Sequence, residues 1–132
     1  MEKLNLITDI LDVDEIRRRL PELRRVLGPL MQATREIKAL HRQLRQVEAE
    51  GRSGRSSELR EELDTLDAEW RDAMRRVNEL GAYVKDPEIG LVDFYAWRHG
   101  EMVFVCWRPD EADVTHWHGL KEGFAGRKPI DF

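Results

Sequence analysis

The sequence predicts an α+β protein, mostly α: a long antiparallel helical hairpin of coiled-coil type, then a small antiparallel β-sheet and an irregular C-terminal tail. Three observations carry this. Apolar residues recur at alternating steps of three and four up to Leu80, the period changes to two beyond residue 90, and the aromatic residues cluster in that second region. Upstream of Gly81 the only aromatic residue is Trp70. Downstream lie Tyr83, Phe94, Tyr95, Trp97, Phe104, Trp107, Trp117, Phe124 and Phe132. With 132 residues, the chain reads as a single domain over 1–132, long enough to bury its own core.

The first helix is expected over 12–50. Asp12 suits the amide of Glu15 while the Glu15 carboxylate reaches back, and Leu11 is placed to staple onto Ile16. Residues 1–10 are then an N-terminal extension. The apolar series Ile16, Leu20, Leu23, Leu27, Leu30, Thr34, Ile37, His41, Leu44 has the spacing of a helix–helix seam. Pro21 and Pro29 lie inside it, and an internal proline removes a backbone hydrogen bond, so a break or bend is expected there.

"GRSGRSS" at 51–57 reads as the turn, and Leu59, Leu63, Leu66, Trp70, Ala73, Val77, Leu80 repeat the seam in a second helix over 58–81. A short connection makes the two helices antiparallel neighbours, which sets Trp70 over Thr34 and Ile37 and His41 near Leu66. Basic residues dominate the first helix from Arg17 to Arg45, and acidic ones from Glu58 to Glu79 lean the second the other way. This register leaves residues 13–24 without a helical partner, so they are expected to fold over the C-terminal third.

Beyond the helices lies a β-region over 82–108. "GLVDFYAW" and "EMVFVCW" flank "RHGE", and His99-Gly100 suits a two-residue turn with positive φ, giving a hairpin 91–98/101–108. Closing the turn there sets Arg98 opposite Glu101, Tyr95 opposite Phe104, Phe94 opposite Val105 and Asp93 opposite Cys106. "AYVK" at 82–85 is a candidate third strand. Both faces of the hairpin carry apolar side chains, so each needs a cover: the helices for one, another protomer for the other. Residues 109–132 are then a tail packing on the sheet.

These residues resemble a bacterial family catalogued as domain of unknown function 2203, over about 11–130. The likeness rests on "ELGAYVKD", "GLVDF", Gly100, "CW" at 106–107, Glu111, "WH" at 117–118 and "GFAGRKPI" at 123–130. The family pattern has proline at Tyr95, an aromatic at His116 and a basic residue at Ile89, which sets His116 aside as a shared functional residue. The resemblance implies a helical hairpin plus small sheet, and it brings no activity with it.

The matching residues with chemical capability are Asp93, Cys106, Glu111, His118 and Arg127, with Trp107 and Trp117 as aromatic neighbours. Carboxylate, thiolate and imidazole are a donor set for zinc, although the spacing fits no standard zinc signature. Against this stand a buried structural thiol, a nucleophilic Cys106 with His118 as base, and an Asp93 that locks the tail by pairing with Arg127 or a tryptophan N–H. The glycine-rich "GFAGRKPI" is a further candidate, for a small anion.

Composition narrows the partner classes. Net charge is −4 with 36% charged residues, which suggests neither a nucleic-acid nor a membrane surface. A single cysteine and no leader-like or membrane-length apolar run point to the cytoplasm. The reading favoured by the residues is a non-enzymatic module that self-associates as a homodimer or larger, or joins an unknown protein partner, with no cofactor. The alternatives are a metal or small-anion site at the five polar residues, and weak RNA contact by Arg52 and Arg55 at the hairpin tip, where acidic residues are interleaved.

Overall fold

The structure, a computed structural model, describes residues 9–132; of the expected extension, residues 1–8 lie outside the described part. Helix α1 spans Val13–Ala49 and α2 spans Ser53–Glu79, packed against each other as an antiparallel hairpin. The N-cap of α1 is Asp12, whose carboxylate accepts from the Glu15 amide at 2.7 Å. The Glu15 carboxylate does not complete a capping box; it turns to Arg18 and Arg19, at 3.4 and 3.6 Å.

Of the break or bend expected at Pro21 and Pro29, a break does not occur: α1 runs uninterrupted through both. Each proline removes one amide donor, and both prolines are exposed, as are Arg17 and Arg25, whose carbonyls lose the partner. Water can serve those carbonyls. On the opposite side Leu20, Leu23, Leu27 and Leu30 are 0–5% exposed, and burial of each contributes about 1.5–3 kcal/mol, enough to hold the helix together across one missing bond.

The turn is also shorter than expected, Glu50 to Arg52 instead of 51–57, and α2 begins at Ser53 rather than 58. Gly51 takes φ 71°, and the Gly51 and Arg52 amides return to the Glu48 and Val47 carbonyls, both at 3.1 Å. Within the helix the Ser56 and Ser57 hydroxyls bond back to the Arg52 and Ser53 carbonyls, both at 3.3 Å, so neither hydroxyl is left without a partner.

Pairing across the hairpin follows the seam at its centre. Trp70 Nε1 donates to Thr34 Oγ1 at 2.9 Å, and that hydroxyl donates to the Leu30 carbonyl at 2.7 Å. His41, expected on the seam, is exposed, and towards the tip Val47, Ser56 and Leu59 are the buried residues.

The sheet has five antiparallel strands in the order β1–β5: Tyr83–Asp86, Leu91–Arg98, Glu101–Trp107, His116–His118 and Lys128–Pro129. Register between β2 and β3 is the expected one, Arg98 opposite Glu101 through Asp93 opposite Cys106. His99 and Gly100 take φ 48° and 84°, the signs a two-residue hairpin turn needs. The "AYVK" segment does supply a strand, β1. The C-terminal tail is more regular than expected, since its β4 and β5 extend the sheet from the outer edge of β3, where unpaired backbone groups need partners.

One sheet face carries Val92, Phe94, Ala96, Val103, Val105 and Trp107, all at most 3% exposed, and forms one core with Ile16, Leu20, Leu23, Leu27 and Val77. The N-terminal part of α1 therefore lies over the sheet, as expected. Polar contacts fasten it: Arg17 Nε reaches Asp113 at 3.0 Å, Arg19 donates to the Leu80 carbonyl at 2.8 Å, and Arg24 donates to the Glu111 carbonyl at 2.7 Å while stacking 4.9 Å over Trp107. Among the described residues no helix is long and apolar enough to cross a membrane.

Candidate metal centre

The opposite sheet face is where polar chemistry collects. Strand alternation puts Asp93 and Tyr95 of β2, Phe104 and Cys106 of β3, and His116 and His118 of β4 on that side, with Cys106 opposite Asp93 and His118 opposite Phe104. Asp93, Cys106 and His118 are 2, 1 and 3% exposed. Their ligand-type atoms all lie within 4.8 Å of one another.

His118 is fixed at both ring nitrogens. Nδ1 lies 2.9 Å from the Gly119 carbonyl, which can only accept, so Nδ1 carries a hydrogen and donates. Nε2 therefore points inward, 3.0 Å from Asp93 Oδ1, and the two share one proton. That is the arrangement in which a metal-binding imidazole is oriented by its outer nitrogen.

Burial, then the neighbouring Asp93 carboxylate, pushes the Cys106 thiol up to about 12, so without a cation beside it the sulfur stays protonated. A nucleophilic thiolate needs the reverse shift, so the Cys106–His118 nucleophile reading is set aside.

Of the five polar residues singled out, three meet and two do not join them. Glu111 and Arg127 form their own ion pair at 2.6 Å, and Glu111 also accepts from the Arg108 amide at 3.0 Å. Asp93 is thus not the anchor of Arg127; its partner is His118. The Glu111–Arg127 pair is close enough to act on the Cys106 thiol electrostatically, with opposite signs.

The two tryptophans named as neighbours belong to the other face. Trp107 donates its N–H to the Glu111 carbonyl at 3.1 Å, and Trp117 lies under Arg98 and Lys128 at 4.5 and 4.8 Å. The aromatic wall of the cluster is Phe104, 5.4 Å from the His118 ring and 4.7 Å from Tyr95. His116 shares the side of β4, but its Nδ1 faces the Thr115 hydroxyl at 2.8 Å and it stands outside the cluster.

The chain itself covers the part of this face that holds the cluster. Lys85, Leu120, Glu122 and Phe124 line a cleft of about 210 Å³ together with Asp93, Cys106 and His118. Glu122 ties the covering segment down, accepting from the Gly119 amide at 2.7 Å and from Lys128 Nζ at 2.8 Å. Those bonds, the Lys128 one foremost, hold its carboxyl below the usual range. Gly119, Glu122 and Lys85 carry no signal of this role in the sequence, beyond the nearness of Gly119 to His118.

At the helical tip, Arg52 pairs with Glu50 at 3.2 Å and Arg55 with Glu58 at 2.9 Å, and Arg60 pairs with Glu48. The arginines expected to face RNA are thus already neutralised by the interleaved acids.

Comparison with known proteins adds one match. No curated protein and no solved structure matches the chain. A family model described as "Uncharacterized conserved protein (DUF2203)" matches residues 10–130, which hold both helices and all five strands. The chain belongs to that family of uncharacterised conserved proteins.

Proposed function

We propose that this protein binds a divalent metal ion, with zinc as the best fit, through Asp93 Oδ, Cys106 Sγ and His118 Nε2. The observation that carries the reading is the meeting of three chemically different ligand side chains, each at most 3% exposed, from three adjacent strands. Zinc accepts mixed sulfur, nitrogen and oxygen donors. Tetrahedral bonds of about 2.0–2.3 Å set ligand atoms roughly 3.3–3.8 Å apart, so separations of up to 4.8 Å need shrink by no more than roughly 1.5 Å. The incoming ion takes the place of the thiol proton and of the proton shared by Asp93 and His118.

The rival account of the same geometry is a hydrogen-bonded fastening between strands. Elemental analysis after dialysis against micromolar zinc separates the two. One zinc per chain is expected, falling below a tenth of that in His118→Ala and Cys106→Ala chains that keep their circular dichroism. Wild-type protein that retains no zinc removes the reading.

A second reading, the self-associating module, draws on Trp97, which is 57% exposed on the sheet. Its motive, an uncovered second sheet face, is met only around the polar cluster by the segment Leu120–Phe124, which leaves Trp97 of the same face exposed. Sedimentation of wild type and Trp97→Ser measures it, and a strict monomer at high concentration rejects it. RNA contact by Arg52 and Arg55 has the least support, given their ion pairs. A lone buried thiol suits a reducing compartment such as the cytoplasm.

A further inference from the structure

The geometry points to a fourth, exchangeable position on the ion, filled from the cleft by a small monoanionic carboxylate with an apolar body; this rests on the metal reading above. Three protein donors leave one tetrahedral position open, the pattern of sites that take an exogenous ligand. The other acidic side chains nearby are engaged. Glu111 is held by Arg127 and the Arg108 amide, and Glu122 by Lys128 and the Gly119 amide. Neither is free to complete the set.

The cleft that contains the three donors also has the features of a ligand pocket. Leu91, Leu120 and Phe124 give it apolar walls, and Leu120 and Phe124 are 43 and 40% exposed, so they form a rim open to solvent. Its volume of about 210 Å³ is below the usual range for drug-sized ligands, which limits the occupant to a small molecule.

Charge selects the head group. Zinc with one thiolate, one carboxylate and one neutral imidazole has no net charge, and Glu122 is offset by Lys128. What remains is Lys85. Its ammonium sits 4.8 Å over the Phe104 ring, and among the described residues it has no ion-pair partner. A ligand carrying one negative charge meets both the open metal position and this ammonium, while its apolar part lies against Leu91, Leu120 and Phe124.

Cobalt(II) substitution reads the coordination directly, because its visible d–d bands report ligand number and exchange. The full chain loaded with cobalt is titrated with phenylacetate, acetate and phenylacetamide. Phenylacetate is expected to shift the bands at lower concentration than acetate, and the neutral amide to leave them unchanged. Lys85→Met is expected to keep the starting spectrum and to weaken phenylacetate about tenfold, the factor that about 1.4 kcal/mol represents. Tetrahedral cobalt bands that ignore phenylacetate at millimolar concentration overturn the open position and leave the metal reading standing. No cobalt bands at all overturn both. An equal response to the amide overturns the choice of an anion.

Discussion

Two residue-scale details show how single polar groups hold this molecule together. Thr34 both receives the Trp70 N–H at 2.9 Å and donates to the Leu30 carbonyl at 2.7 Å, at the centre of the helix–helix seam. Thr34→Val keeps the shape and strands the indole donor, so urea denaturation should show a loss of about 1–2 kcal/mol. A valine variant as stable as wild type refutes that account. At the other end of the chain Arg98 grips Asp131 by two bonds, 2.9 and 2.6 Å, while stacking over Trp117. The Arg98 bond holds Asp131 below the ordinary aspartate value of 3.8. A lowered carboxyl stabilises the fold fully above its ordinary value and stops doing so as pH falls through the lowered one. The Trp117 indole NMR signal should therefore move on acidification below that value, and Asp131→Asn should abolish the movement. A wild-type signal that stays fixed would show that the contact does not form in solution.

Elements of this fold are set largely by local chemistry, and their exceptions have identifiable causes. The β2–β3 register was legible because His99-Gly100 leaves only one closure for the hairpin, and that closure placed Asp93 opposite Cys106. Gly100 sits at φ 84° with nothing within 4 Å of where a Cβ would stand, so Gly100→Ala meets no clash. Its cost is backbone strain alone, about 1–2 kcal/mol, measurable as a lowered melting temperature. No change on that substitution would mean the turn relaxes to another conformation. The helix boundaries were less legible. Residues 53–57 look like a loop by composition, yet Ser56 and Ser57 satisfy their hydroxyls on the previous turn. Pro21 and Pro29 look like breaks, yet their missing donors face solvent while the leucines opposite stay packed.

For the whole molecule, the central fact is that α1 serves two partners. It packs along α2, and its Ile16, Leu20, Leu23, Leu27 and Leu30 share one core with Ala73 and Val77 of α2 and with Phe94, Val105 and Trp107 of the sheet. Neither half buries its apolar surface alone. A fragment ending at Gly81 leaves Ile16, Leu20 and Leu23 uncovered, each worth about 1.5–3 kcal/mol when buried. Far-ultraviolet circular dichroism should show such a fragment to be less helical per residue and to melt lower than the full chain. Equal helicity and melting would mean that the hairpin is an independent unit. The same sharing orders the candidate metal centre, since the sheet that carries it is backed by α1 on the other face.

The sequence by itself determined the two helices, the hairpin turn and which strand residues share a face. Each of these follows from side-chain period or from a backbone angle that few residues accept. Only the tertiary structure decided which polar residues meet. His118 reaches Asp93 and Cys106 because the chain between Trp107 and His116 returns β4 to the open edge of β3, with Val114 buried and Arg17 and Arg24 gripping Asp113 and the Glu111 carbonyl. That return path depends on contacts some ninety residues apart in the chain, such as Arg17 with Asp113. A local pattern cannot encode it, which is why Glu111 and Arg127 looked like members of the cluster and instead pair with each other beside it.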